Sequence, residues 1–151
     1  MTNHPSNNLV ERALGIATRA HAGQKDKAGI DYIEHPKTVA SFVNSDEERA
    51  TAYLHDVLED TSLTEQDLRE QGIPEDVISA VKAMTHAKDV SYFDYLAVVK
   101  SNPIARVVKL ADLKHNSDLS RLTELSEEDH RRIEKYKEAA EFLKDVDGDN
   151  K

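Results

Sequence analysis

A chain of 151 residues fits one domain, and 38% hydrophobic residues suffice for one core, although aromatics reach only 5% and Trp is absent. A net charge of -9 argues against a general nucleic-acid binder, which needs a basic surface, but leaves room for a small anionic substrate at a locally cationic site. The lack of Cys excludes disulfides, thiolate metal sites and a Cys nucleophile. With no apolar run near the ~20 residues of a membrane span and a polar stretch at residues 1–8 unlike a signal peptide, the chain reads as cytoplasmic.

The breaks along the chain are those of an all-α, single-domain bundle. Asn7 or Asn8 is placed to cap a first helix reaching about His21, with Leu9, Ala13, Ile16, Ala17 and Ala20 on one face. Residues 23–33, with two glycines and mixed charges, read as a loop. Pro36 suits the first turn of a short second helix. Ser45 with Glu48 forms a capping box that opens a third helix carrying Ala50, Leu54, Val57 and Leu58. Thr64 starts a fourth, which Gly72 ends, and Pro74 starts a fifth through Val77, Ile78, Val81 and Met84. Ser91 opens a sixth, which Asn102-Pro103 breaks; a seventh runs from Ile104 to about Asn116, and Ser126 opens the last. Residues 107–110 are the best strand candidate, but the helical pattern continues past them. Order is expected over about 8–144, with the acidic tail 145–151 frayed.

The chemistry centres on L-H-D-V-L-E-D at 54–60. On one continuous helix, His55, Asp56, Glu59 and Asp60 share an arc of about 140°, with Leu54, Val57, Leu58 and Ala50 opposite. A single carboxylate there would be an ordinary solvated group. Three carboxylates and an imidazole repel or crowd one another in a way that a bound dication relieves. His35 stands at a loop–helix junction before Pro36. Asp112 is the one carboxylate of an otherwise apolar segment, V-V-K-L-A-D at 107–112; buried, it requires a metal, a base or an amide. Asn116 follows one turn later. A nitrogen and oxygen set from His and Asp suits Mn, Fe, Zn, Co or Ni without choosing among them.

A-H-A-G-Q (20–24), Y-I-E-H-P (32–36), L-H-D-V-L-E-D-T (54–61), V-K-L-A-D (108–112) and H-N (115–116) resemble, in the same order, the hydrolase domain of the RelA/SpoT alarmone enzymes, and more closely its stand-alone small hydrolases. The resemblance implies an HD-type helical fold, one Mn²⁺ held by His35, His55, Asp56 and Asp112, and Glu59 with Asp60 handling the attacking water. It implies hydrolysis of the 3′-pyrophosphate of guanosine tetra- and pentaphosphate to GDP or GTP and pyrophosphate. Asn116 matches a substrate-contacting amide, and Lys25 lies where the family has basic residues near the nucleotide. Many members read A-D-R-x-H-N; here Leu113 follows Asp112 and the basic residue is Lys114. Lys109, one turn before Asp112, joins Lys25 and Lys114 as a candidate phosphate contact.

A small nucleotide is thus the expected partner, with neither nucleic acid nor membrane, and no oligomeric state is indicated. Two rival readings keep the same centre. One is an HD phosphatase acting on another nucleotide or on the ribose phosphate of NADPH. The other is a metal- or nucleotide-binding module without turnover, against which stands the presence of both Glu59 and Asp60. His21, His86, His115 and His130 read as structural or exposed.

Overall fold

The computed structural model describes residues 5–26, 29–117 and 126–144. Nine helical segments account for most of them: α1 (Pro5–Ala20), α2 (Glu34–Ser41), α3 (Asp46–Leu54), α4 (Val57–Asp60), α5 (Glu65–Glu70), α6 (Glu75–Ala83), α7 (Tyr92–Ser101), α8 (Pro103–Asn116) and α9 (Glu127–Lys144). No strand occurs among the described residues. Extended pairing is limited to an isolated antiparallel bridge between Lys25 and Asp31 in the α1–α2 loop. Residues 107–110 lie inside α8, and the tail 145–151 falls outside the described residues.

Helix starts follow local chemistry. Ser45 accepts from the Glu48 amide while the Glu48 carboxylate accepts from the Ser45 amide. Thr64 and Asp67 repeat that exchange at α5. The Ser91 hydroxyl accepts from the Asp94 amide at α7, and Asn102 caps α8 by accepting from the Ile104 and Ala105 amides, with Pro103 filling the first position, where an amide proton is not needed. After α5 the chain reverses at Gly72, whose φ of +90° is cheap only without a Cβ. The first helix starts at Pro5, so Asn7 and Asn8 lie inside α1 and do not cap it.

Two apolar cores share α3 and α6. In the first, Leu9, Ala13, Ile16 and Ala17 of α1 pack on Ala50 and Leu54 of α3, with Leu68 of α5 and Val77, Ile78 and Val81 of α6. In the second, Val39 and Ala40 of α2 and Ala52 of α3 meet Leu96 and Val99 of α7, Val108 and Leu113 of α8, and Ala139 and Leu143 of α9. Ala50, Thr51 and Ala52 are all buried, so the second half of α3 is packed on several faces at once. Its small residues let α1, α2, α6 and α8 approach closely. The C-terminal end of α3 therefore opens where α2 and α8 converge.

Candidate metal centre

The third helix does not run through the His-Asp pair as the sequence predicts. α3 stops at Leu54, and Asp56, at φ -104° and ψ 0°, lies outside helical geometry before α4 begins. The cause is a competing hydrogen bond. In an uninterrupted helix the Ala52 carbonyl would accept from the Asp56 amide; here it accepts from the His55 ring at 2.6 Å and more weakly from the His55 amide at 3.5 Å. Ala52 is buried and acts through its carbonyl. The shared 140° arc is accordingly replaced by a turn, from which both His55 and Asp56 reach one centre.

Three elements build that centre. His35 comes from the first turn of α2, His55 and Asp56 from the α3–α4 turn, and Asp112 from α8. The His35 Nε2 lies 2.9 Å from Asp112 Oδ1 and 4.0 Å from Asp56 Oδ2. The His55 Nε2 lies 3.1 Å from Asp56 Oδ2 and 3.4 Å from Asp112 Oδ1. His55 and Asp112 are 3% and 5% exposed, so neither can turn to water for a partner.

The His55 tautomer follows from its neighbours. A carbonyl only accepts, so Nδ1 carries the proton bonded to Ala52. In the neutral ring the lone pair then sits on Nε2, which is buried and makes no hydrogen bond. That lone pair faces two carboxylates, and only a cation or an added proton makes the arrangement favourable. The donor set therefore fits a divalent metal ion. Donor atoms of His35, His55 and Asp56 all lie within 4.8 Å of one another, and these residues can hold one.

Charge and burial compete throughout. Burial pushes the His55 pKa down, but Asp56 and Asp112 outweigh it and raise the imidazole well above its ordinary range. Asp56 is held down at about 2: burial opposes ionisation, and His55 and the Tyr32 hydroxyl overcome it. Asp112 is likewise kept ionised against burial, first by Lys109 and then by the two histidines. Asp60 goes the other way, raised by burial and by its neighbours Asp56 and Glu59.

The substrate contacts expected from sequence divide. Lys109 and Asn116 reach the centre as partners of Asp112, Lys109 Nζ at 3.0 Å from Oδ2 and Asn116 Nδ2 at 3.1 Å from Oδ1. The Lys25 ammonium bonds Asp31 at 2.6 Å in its own loop, and the Lys114 ammonium stands 4.4 Å from the Phe42 ring centre. Glu59 and Asp60 are exposed on α4. Glu59 Oε1 accepts from the His86 amide at 3.1 Å, and the Gln24 side chain donates to the Asp60 carbonyl at 3.4 Å.

Two residues at the centre escaped the sequence reading as individuals. The Tyr32 hydroxyl donates to Asp56 Oδ2; its signal was the spacing of three residues before His35, one turn across the loop. His115, read as structural or exposed, places Nδ1 2.7 Å from Nδ1 of His35. Its signal was its position three residues after Asp112, on nearly the same face of α8. His21 is buried and bonds Gln24 at 3.0 Å, consistent with a structural role.

Compared with known families, residues 13–146 match the HD domain. Human guanosine-3′,5′-bis(diphosphate) 3′-pyrophosphohydrolase MESH1 is 33% identical, covering 92% of this chain and 85% of its own length. The chain belongs to the HD-domain family that includes MESH1. Longer relatives are also similar. A probable guanosine-3′,5′-bis(diphosphate) 3′-pyrophosphohydrolase of Synechocystis is 34% identical over 83% of this chain and 18% of its own. The Haemophilus influenzae enzyme of that name is 34% identical over 80% and 20%. The chain spans about a fifth of the length of these two relatives. A solved structure described as a metazoan orthologue of SpoT that hydrolyses ppGpp matches with a TM-score of 0.73 at 23% identity, over 96% of this chain and 90% of that one. That likeness is one of fold, and the HD assignment rests on the family match over residues 13–146. No helix among the described residues is long and apolar enough to cross a membrane.

Proposed function

We propose that this HD-domain protein is a metal-dependent phosphohydrolase that removes the 3′-pyrophosphate of guanosine tetra- and pentaphosphate. His35, His55, Asp56 and Asp112 would hold one Mn²⁺. The observation that carries the reading is the buried His55 Nε2, left without a hydrogen bond and aimed between two carboxylates. The likeness to MESH1 over most of both chains supports the substrate.

When bound, the metal supplies positive charge that stabilises negative charge developing on phosphoryl oxygens and lowers the pKa of a water. The chain's own residues do the rest. Ala52 and Lys109 orient His55 and Asp112 from behind, and Tyr32 steadies Asp56 through the oxygen that faces the centre. Glu59 or Asp60 accepts a proton from the attacking water as its oxygen bonds to phosphorus. The bond from phosphorus to the ribose 3′ oxygen breaks, and that oxygen takes up a proton from solvent to become the 3′-hydroxyl. Burial, and then the charges of Asp56 and Glu59, raise the proton affinity of Asp60 above that of an ordinary aspartate, which suits a general base. Glu59 is steadied by the His86 amide. Asn116 stands beside Asp112 at the edge of the centre.

A second reading, an HD phosphatase acting on another nucleotide or on the ribose phosphate of NADPH, has one observation in its favour. An alarmone carries two phosphate clusters, yet Lys25 and Lys114 make their contacts elsewhere and Lys109 is engaged by Asp112. A nucleotide panel assayed with Mn²⁺ separates the two. The alarmone reading expects pyrophosphate release from guanosine tetraphosphate well above phosphate release from any monoester, and none from His55→Ala. Equal or faster turnover of a monoester would transfer the same centre to the phosphatase reading.

A further inference from the structure

We infer that His115 is a positioning residue: its Nδ1 accepts the Nδ1 proton of His35 and so turns the His35 Nε2 lone pair toward the metal centre. The inference rests on the ligand role of His35 proposed above. The two Nδ1 atoms are 2.7 Å apart, far inside the ~3.5–4.0 Å of a van der Waals contact. The ring planes differ by only 17° with centroids 5.0 Å apart, so the rings meet edge to edge. Two bare lone pairs at that distance would repel, and two N–H groups would collide. One ring donates and the other accepts.

Only one assignment leaves His35 able to bind a cation. If His35 Nδ1 donates, the neutral ring has its lone pair on Nε2, beside Asp112 Oδ1 at 2.9 Å. If His115 donates instead, the proton of a neutral His35 sits on Nε2, where it bonds Asp112 and blocks the metal. The acceptor state of His115 therefore acts on metal affinity through the His35 tautomer. α8 delivers both parts: Asp112 to the centre and, three residues on, the group that fixes the opposing ligand. His55 obtains the same result by a different route, from the Ala52 carbonyl.

The test compares His115→Phe with His115→Asn. Phe keeps an aromatic ring and removes the acceptor. Asn carries its amide oxygen on Cγ, as His carries Nδ1, and restores an acceptor at that place. Mn²⁺ affinity is read by competition with a chelator, with folding followed by far-UV circular dichroism. His115→Phe should weaken binding by about 10- to 100-fold, the usual range for losing a partner behind a ligand. His115→Asn should recover most of that loss. Wild-type affinity in the Phe variant overturns the inference, as does equal weakening in Phe and Asn, which would mark a packing role. If the Phe variant does not fold, His115→Ala serves in its place under the same criteria. His35→Ala separates the two levels: if it binds Mn²⁺ as well as the wild type, the ligand assignment itself fails.

Discussion

At the candidate metal centre, neighbours fix how the expected ligands are turned. Lys109 takes the outer oxygen of Asp112 and Ala52 the outer nitrogen of His55, whereas Tyr32 bonds the same Asp56 oxygen that faces the histidines. The expected donors drew notice in sequence for different reasons: Asp112 as a carboxylate in an otherwise apolar run, His55 and Asp56 on a crowded polar arc, and His35 at a loop–helix junction. Their neighbours were less legible, because Lys109 looks like a phosphate contact until its ammonium is found against Asp112. The proposed role of Glu59 and Asp60 in handling water is open to a direct test. Glu59→Gln should keep the metal and lose turnover by about 10²-fold or more, the scale of a positioned acid–base group. Asp60→Asn is the comparison, since burial and the neighbouring carboxylates raise the proton affinity of Asp60. Near-normal turnover in Glu59→Gln with metal bound, and a large loss in Asp60→Asn, would assign the proton transfer to Asp60.

At the level of elements, helix starts were read from side chains that bond their own backbone nearby, as Ser45, Ser91 and Asn102 do. The interruption after Leu54 was not legible. Periodicity continues through Val57 and Leu58, and the bond from the His55 ring to the Ala52 carbonyl three residues back, which ends the ladder, leaves no mark in that pattern. Leu54, fully buried against α1 and α6, anchors the helix just before that turn. Leu54→Ala should cost about 2–5 kcal/mol through lost burial and a cavity, and Ser45→Ala about 1 kcal/mol through the lost cap. Urea unfolding of both variants measures this. A larger loss in Ser45→Ala would mean that capping holds α3 in place more than packing does.

For the molecule as a whole, the buried charges set how stability varies with pH. Asp56 has a folded pKa of about 2 against an ordinary 3.8, so it contributes about 2 kcal/mol. That stabilisation is complete above 3.8 and is lost as pH falls through about 2. His55 shifts upward, so its contribution is complete below its ordinary value of 6.5 and is lost as pH rises through the raised folded value. Chelator-treated protein should accordingly show its highest melting temperature between about pH 4 and 6.5. With Mn²⁺ the optimum should move to higher pH, because ligand nitrogens must be deprotonated to bind. A melting temperature in chelator that rises steadily past pH 8 would contradict the charge arrangement. The helical class and the order of elements were readable from the sequence alone because they depend on local pattern. The two-core plan was not, since the alanines of α3 carry no outward sign of which helices they admit.

The centre joins three stretches far apart in the chain: the start of α2, the turn after α3 and the middle of α8. A cation held there would be a cross-link, closing two long loops with one small ion. The entropy lost by the unfolded chain in making those closures would be offset only while the ion is present. Starvation for the metal would then be felt in the cell first as a shorter lifetime of the protein itself, before any question of catalytic rate arises.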